Sequence, residues 1–254
     1  MGSIAAIVAC GVWPSDAFAY RPFDGTDADV ADTGEFELEL GPSHFYGQGG
    51  RHYLVAPATV LNLGLVPRLE LVVDFKGFVA LDERLPDESR VRVLDTDVFL
   101  KYVVREGALQ GKTGLSIACE GGPLTPEIQG DSAFGAQLDT IVSYRWSDLT
   151  VHFNEQIGYS RRQHGAFFSS VILEGPHDRA VRPVAEFLVD GAYHEDLVVS
   201  ALGGAIWRAS DAFAFDAGVR VGRVGDERLA ELRLGFTWGI PIWEPHKHAE
   251  NARR

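Results

Sequence analysis

Apolar and polar residues alternate with a period of two along most of this chain, and no stretch sustains the 3.6-residue period of an amphipathic helix. Residues 229–240 place Ala230, Leu232, Leu234, Phe236, Trp238 and Ile240 on one face, with Glu231, Arg233, Gly235 and Thr237 on the other. Residues 212–222 and 134–146 repeat the pattern, each with one apolar and one charged face. Weaker alternation marks 34–45, 51–63, 68–80, 91–104, 112–121, 149–161, 167–174, 181–191 and 196–208. The total is about twelve strands of roughly ten residues or more, an even number and a length suited to crossing a bilayer at a tilt. The fold class this predicts is all-β, an antiparallel transmembrane β-barrel with short periplasmic turns.

Turns and aromatic residues agree with that topology. Leu65-Val66-Pro67, Ser147-Asp148 and Ala209-Ser210-Asp211 are tight connections, and each follows an even-numbered strand, so all three belong to one end. Tyr102, Tyr144, Trp146, Trp207, Phe213 and Trp238 fall at strand ends on that same rim, as an interfacial aromatic girdle requires. A soluble β-sandwich would bury such residues mid-strand. Two turns also fix register. A two-residue Ser147-Asp148 turn sets Ser143 opposite His152, Asp139 opposite Gln156 and Tyr144 opposite Val151. A two-residue Gly225-Asp226 turn sets Arg220 opposite Glu231, Gly218 opposite Arg233 and Asp216 opposite Gly235, with Arg233 reaching diagonally toward Asp216 in a water-exposed ladder.

Composition narrows the class. The 254 residues carry 36 Asp and Glu against 23 Lys and Arg, a net charge of −13 that argues against nucleic acid as a partner. The 28 glycines suit a backbone with many turns and close approaches. The apolar opening, residues 1–19, closes on Ala17-Phe18-Ala19, the small-x-small pattern of a signal-peptide cleavage site, and points to export into the outer membrane. Ile7 to Gly11 also resembles a lipobox around Cys10, a weaker reading. Cleavage after Ala19 leaves Cys119 as the sole cysteine, with no partner for a disulfide. The expected organisation is a signal peptide at 1–19, a periplasmic segment at 20–33, the barrel at 34–240 and a flexible tail at 241–254, whose His246 and His248 read as solvated residues.

In a barrel the charged faces line the lumen. Its inward set comprises Glu35, Glu37, Glu39, Glu70, Asp74, Asp95, Asp97, Glu120, Asp139, Glu186, Asp190, Asp216 and Glu231, with Lys76, Lys101, Arg145, Arg182, Arg220 and Arg233. Acids outnumber bases about two to one, so anions should be repelled and cations or neutral solutes admitted. Twelve strands lie between filled eight-stranded barrels and open sixteen-stranded porins, so a paired, hydrated filling is the alternative to an open pore. A Ser/His/acid hydrolase can be drawn from Ser143, His152 and a carboxylate. Barrel enzymes that act on lipids face such sites outward, whereas these residues point inward. Glu155 falls on the lipid-facing phase, where a carboxylate is costly at mid-depth, so a bulge or a rim position is expected there. The residues suggest no catalytic set, metal site or cofactor. Expected partners are outer-membrane lipid, the barrel-assembly machinery and a small solute.

Several segments, in order and spacing, resemble the putative MetA-pathway-of-phenol-degradation family of outer-membrane transporter-like barrels. They are Arg21-Pro22-Phe23 with Asp27 to Asp29, Gly34 to Glu39, Pro67 to Leu71, Asp97 with Lys101-Tyr102, Asn154 with Gly158-Tyr159, Ala185-Glu186, Asp216 to Arg220 and Gly235 to Trp238. The resemblance implies a passive channel for small, often aromatic, compounds, with no catalytic residues to carry over. One departure is the chain's continuation past Ile240, where such barrels usually finish on an aromatic residue.

Overall fold

A computed structural model describes residues 21–82, 89–128 and 131–243. Its strands are β1 (Glu35–Gly41), β2 (His44–Gln48), β3 (Arg51–Val66), β4 (Leu69–Ala80), β5 (Val91–Arg105), β6 (Ser116–Leu124), β7 (Gly135–Arg145), β8 (Thr150–Tyr159), β9 (Gly165–Glu174), β10 (Val181–Ala192), β11 (Val198–Ser210), β12 (Phe213–Val224) and β13 (Glu227–Pro241). Each strand pairs antiparallel with its sequence neighbour, except that β1 and β2 both lie between β13 and β3. They are two halves of one stave, so the wall is a closed barrel of twelve staves. Closure removes the unpaired edges that an open sheet of this length would expose.

The predicted first strand, 34–45, is interrupted because Pro42 cannot donate to the ladder. Against β3 the register runs through unchanged, Gly41 facing Ala58 and His44 facing Val55. Against β13 it slips by one residue. Irregularities continue at the same level, between Val55 and Ala58 of β3 and between Asp74 and Lys76 of β4. β6 starts four residues after the predicted 112, because residues 106–115 form a loop around a short 3-10 turn, Ala108–Gln110.

Both hairpin registers match expectation. Ser143 faces His152, Asp139 faces Gln156 and Tyr144 faces Val151, while Trp146 N–H donates to the Leu149 carbonyl at 2.8 Å. Arg220 faces Glu231 and Gly218 faces Arg233 across a turn in which Gly225 takes φ +54°, a conformation suited to glycine. Glu155 differs from expectation. It sits mid-strand on the outer face with no bulge, held by the Ser169 hydroxyl at 2.8 Å and flanked by Thr140, so a local polar patch replaces the rim position.

The distribution of side chains is inside-out relative to a soluble domain. Leu100, Leu138, Phe153, Ile157, Phe187 and Val219 are exposed, whereas Glu39, Glu70, Lys101, Glu186 and Arg233 are buried. That is the arrangement that puts apolar atoms on lipid and charges on an enclosed interior. Among the described residues the buried apolar clusters are small. Val184, Ile206 and Ala214 pack against Phe23, and Leu109, Ala118 and Ile141 pack around Ala28.

Candidate functional site: a charged lumen threaded by the N-terminal segment

Residues 21–33 were expected ahead of the barrel on its periplasmic side; they run inside it. The segment turns in at the end that bears the short hairpins, where Gly34 N–H donates to the Gly64 carbonyl at 2.9 Å. Gly64 is required at that point, since a Cβ there would stand 2.1 Å from the Asp32 carbonyl oxygen. The segment forms no backbone ladder; Asp27 and Asp29 accept the Asp29 and Val30 N–H groups at 2.9 and 3.0 Å, and the wall takes most of the others. Glu186 accepts the Asp24 and Gly25 N–H groups at 2.9 and 2.8 Å. Asn154 accepts from Thr26 at 2.9 Å, Ser143 from Ala28 at 3.0 Å and Glu70 from Ala31 at 2.5 Å. Gln110 reaches back to the Ala28 carbonyl at 2.7 Å. Phe23 and Ala28 enter the two apolar clusters, which gives the polar contacts two fixed anchor points.

Charge pairing follows the same segment. Arg233 contacts Glu231 at 2.8 Å, Asp24 at 3.0 Å and the Pro22 carbonyl at 2.7 Å. Arg220 contacts Asp24 at 3.1 Å and Ser200 at 2.8 Å, with Glu231 at 3.8 Å. Arg21 lies 3.4 Å from Asp216 and 2.7 Å from the His44 ring, and Lys101 lies 3.4 Å from Asp27. The Arg220–Glu231 pair is therefore present. The expected diagonal from Arg233 to Asp216 is replaced, because Asp24 and Arg21 of the segment insert between them. These side chains are buried rather than water-exposed. Asp29 of the segment is pushed up to about 7, first by burial and then by the adjacent Asp27 charge.

Ser143, His152 and Glu174 form a line on the inner wall, 2.7 Å from Ser143 Oγ to His152 Nδ1 and 3.0 Å from His152 Nε2 to Glu174. With Ala28 N–H donating to Ser143 Oγ, a consistent set of donations runs from Ala28 through the serine and imidazole to the carboxylate. The serine is fully enclosed, with the Ala28 N–H on its Oγ. The line fastens the segment to β7, β8 and β9.

Between the segment and the wall lies a cavity of about 1490 Å³. Glu37, Glu39, Glu70, Asp74, Asp95, Asp97, Lys101 and Asp139 line it, as do Arg220, Glu231 and Arg233. Asp95 pairs with Lys76 at 3.1 Å, and Asp97 pairs with Arg161. Glu186 and Asp216 are committed to the segment, and Arg145 lies half-buried at the end of β7. No group of three or more His, Cys, Asp or Glu among the described residues is placed to hold a metal ion. On the outside, Tyr102, Trp146, Trp207 and Trp238 are exposed near the short-turn end, where Phe213 faces Trp238 and Tyr144 packs on Trp146 at 4.4 Å between ring centroids. Reasoning from sequence missed Arg21, Asp24, His44, Asn154, Arg161 and Glu174 as parts of the lumen. The available signal was the mixture of charges with Phe23 and Ala28 ahead of the first strand, unusual for a solvated linker.

The class defined by this architecture is the twelve-stave, outer-membrane type of β-barrel, and comparison with solved structures agrees. An outer membrane channel of the COG4313 group from Pseudomonas putida F1 superposes with a TM-score of 0.61 at 9% identity, over 86% of this chain and 100% of that one. A KdgM porin superposes with a TM-score of 0.50 at 10% identity, over 80% of this chain and 98% of that one. At such identities the likeness is one of fold. No protein-family model and no curated protein matches the sequence.

Proposed function

We propose that the protein is an outer-membrane channel through which a small solute diffuses, its bore set by the N-terminal segment and its selectivity by the acidic wall. The observation that carries this reading is the charge-lined cavity inside a closed barrel whose outer face is apolar. A structural barrel with no traffic has no need to keep so many desolvated carboxylates facing a cavity, because filling the interior with apolar side chains avoids their desolvation cost. The segments that resemble the MetA-pathway family support a transporter-like reading, and an aromatic or otherwise hydrophobic solute is what that resemblance implies. In this reading Tyr102, Tyr144, Trp146, Trp207, Phe213 and Trp238 mark the periplasmic interface. Residues 1–19, outside the described residues, direct export and are removed, so Edman sequencing of membrane-extracted protein should start at Tyr20. A start at Cys10 carrying lipid would replace that reading with the lipobox.

The decisive experiment is single-channel recording in a planar bilayer under a KCl gradient. The acidic wall predicts discrete conductance steps and a reversal potential on the potassium side of zero selectivity. A barrel that inserts without conducting, or one that prefers chloride, overturns the proposal.

A further inference from the structure

Seating the N-terminal segment engages three cations of the lumen and leaves Glu37 without a partner. Asp24 takes Arg220 and Arg233, and Asp27 takes Lys101. On β1, next to the strand that carries Arg233, Glu37 is 7% exposed, lines the cavity, and has no hydrogen bond or ion pair among the described residues. The charged groups that act on it most strongly, Glu39, Glu70, Glu35 and Asp27, are acidic. Asp139, 5% exposed, lines the same cavity; its Oδ1 has no hydrogen bond, while the Glu155 and Thr140 backbone amides and the more distant Lys101 charge act on its carboxylate. Beside these carboxylates runs an apolar strip. Val72 and Phe99 face each other across β4 and β5 on the inner surface, and Asn62 links Val72 to Glu37 through the β3 register.

We propose that this compartment binds one small organic monocation, an ammonium group carried on an aromatic or short alkyl body. The inference rests on the channel reading and narrows its solute. A carboxylate withdrawn from water without a partner is expensive, and a single positive charge entering the cavity removes that cost. A divalent metal needs several oxygens converging on one point, and no such group is formed among the described residues. A neutral aromatic leaves Glu37 as it was, and an anion finds cations of this cavity, Lys76, Lys101, Arg161, Arg220 and Arg233, already paired with carboxylates. The Val72–Phe99 strip then selects against small hydrated inorganic cations, because only a solute with a hydrocarbon body recovers free energy by covering it.

The test is calorimetric titration of the full-length barrel in detergent at fixed ionic strength, with benzylammonium, benzyl alcohol and benzoate as probes. Benzylammonium should bind about tenfold more tightly than benzyl alcohol, and benzoate should not bind; a ratio of that size corresponds to one modest charge interaction. Glu37→Gln should bring benzylammonium to the level of the alcohol while the alcohol is unchanged. Should Glu37→Gln fail to give a heat-modifiable folded barrel, Asp139→Asn is read in the same way. Equal affinity for ammonium and alcohol, ammonium binding indifferent to the folded variant, or full displacement by equimolar potassium overturns the inference. Bilayer recording separates the two readings. A barrel that conducts but does not discriminate the probes sinks this inference alone, and one that binds benzylammonium without conducting sinks the channel alone.

Discussion

Glu186 is the side chain on which docking of the N-terminal segment most depends, and Glu186→Gln isolates its contribution with little change of shape. In the native arrangement one carboxylate accepts two adjacent backbone amides, at 2.9 and 2.8 Å, in a buried setting. A hydrogen bond to a charged acceptor contributes about 1.5–3 kcal/mol. Glutamine keeps one acceptor oxygen, now neutral, and turns an NH₂ donor toward the other N–H. The net loss is therefore about 3 kcal/mol, on the order of a hundredfold in the ratio of undocked to docked segment. The wall itself loses nothing comparable, because the β9–β10 and β10–β11 ladders do not involve this side chain. A cysteine at Val30 in a Cys119→Ser background reports the exchange, since a bulky, water-soluble maleimide reacts only when the segment leaves the lumen. Labelling should accelerate by about two orders of magnitude in Glu186→Gln, provided opening and closing are fast relative to reaction. Heat-modifiable migration should show an intact barrel throughout. Unchanged labelling with a folded barrel would mean that the two amide contacts do not hold the segment.

Three further outcomes follow from the same contacts. The raised value of about 7 at Asp29, against an ordinary 3.8, means the docked segment holds its proton more tightly than the free one. Docking is thus fully supported below about pH 3.8 and weakens as pH rises through about 7, so a spin label at position 30 should gain mobility between pH 5 and pH 8, and Asp29→Asn should abolish that change. Arg220→Ala removes a cation from the lumen and a partner from Asp24, so the reversal potential should move further toward potassium and open-channel noise should rise; an unmoved potential would place Arg220 outside the ion path. Ala28→Asp sets a carboxylate among Leu109, Ala118 and Ile141, and should undock the segment about as strongly as Glu186→Gln while leaving the barrel's unfolding midpoint in urea almost unchanged.

What could be read from the sequence was the wall. A period of two with one apolar face survives translation into structure because every strand of a barrel faces the same two environments, lipid and lumen, so each strand carries its own orientation signal. That is why Ser143 opposite His152 and Arg220 opposite Glu231 could be fixed from two-residue turns alone. The interruption at Pro42 was legible in principle, since proline removes a ladder donor. The slip it causes is confined to the β13 side, and that depends on the neighbouring strand.

The interior was a different problem. An inward carboxylate looks the same in sequence whether it stands unpaired beside a cavity, beside an arginine or on the backbone of a threaded segment, and Glu37, Asp216 and Glu186 occupy those three settings with the same strand phase. Residues 21–33 have no periodicity to place them, and their partners lie on strands from β2 to β13, so only the closed structure brings them together. The consequence is functional as well as predictive. A lumen whose arginines are claimed by Asp24 has a different selectivity from the same wall with the segment displaced, because undocking returns Arg220 and Arg233 to the bore and shifts its field away from cations. The acids that strand phase assigned to the lumen therefore specify the channel's charge only in combination with the position of a segment that strand phase cannot see.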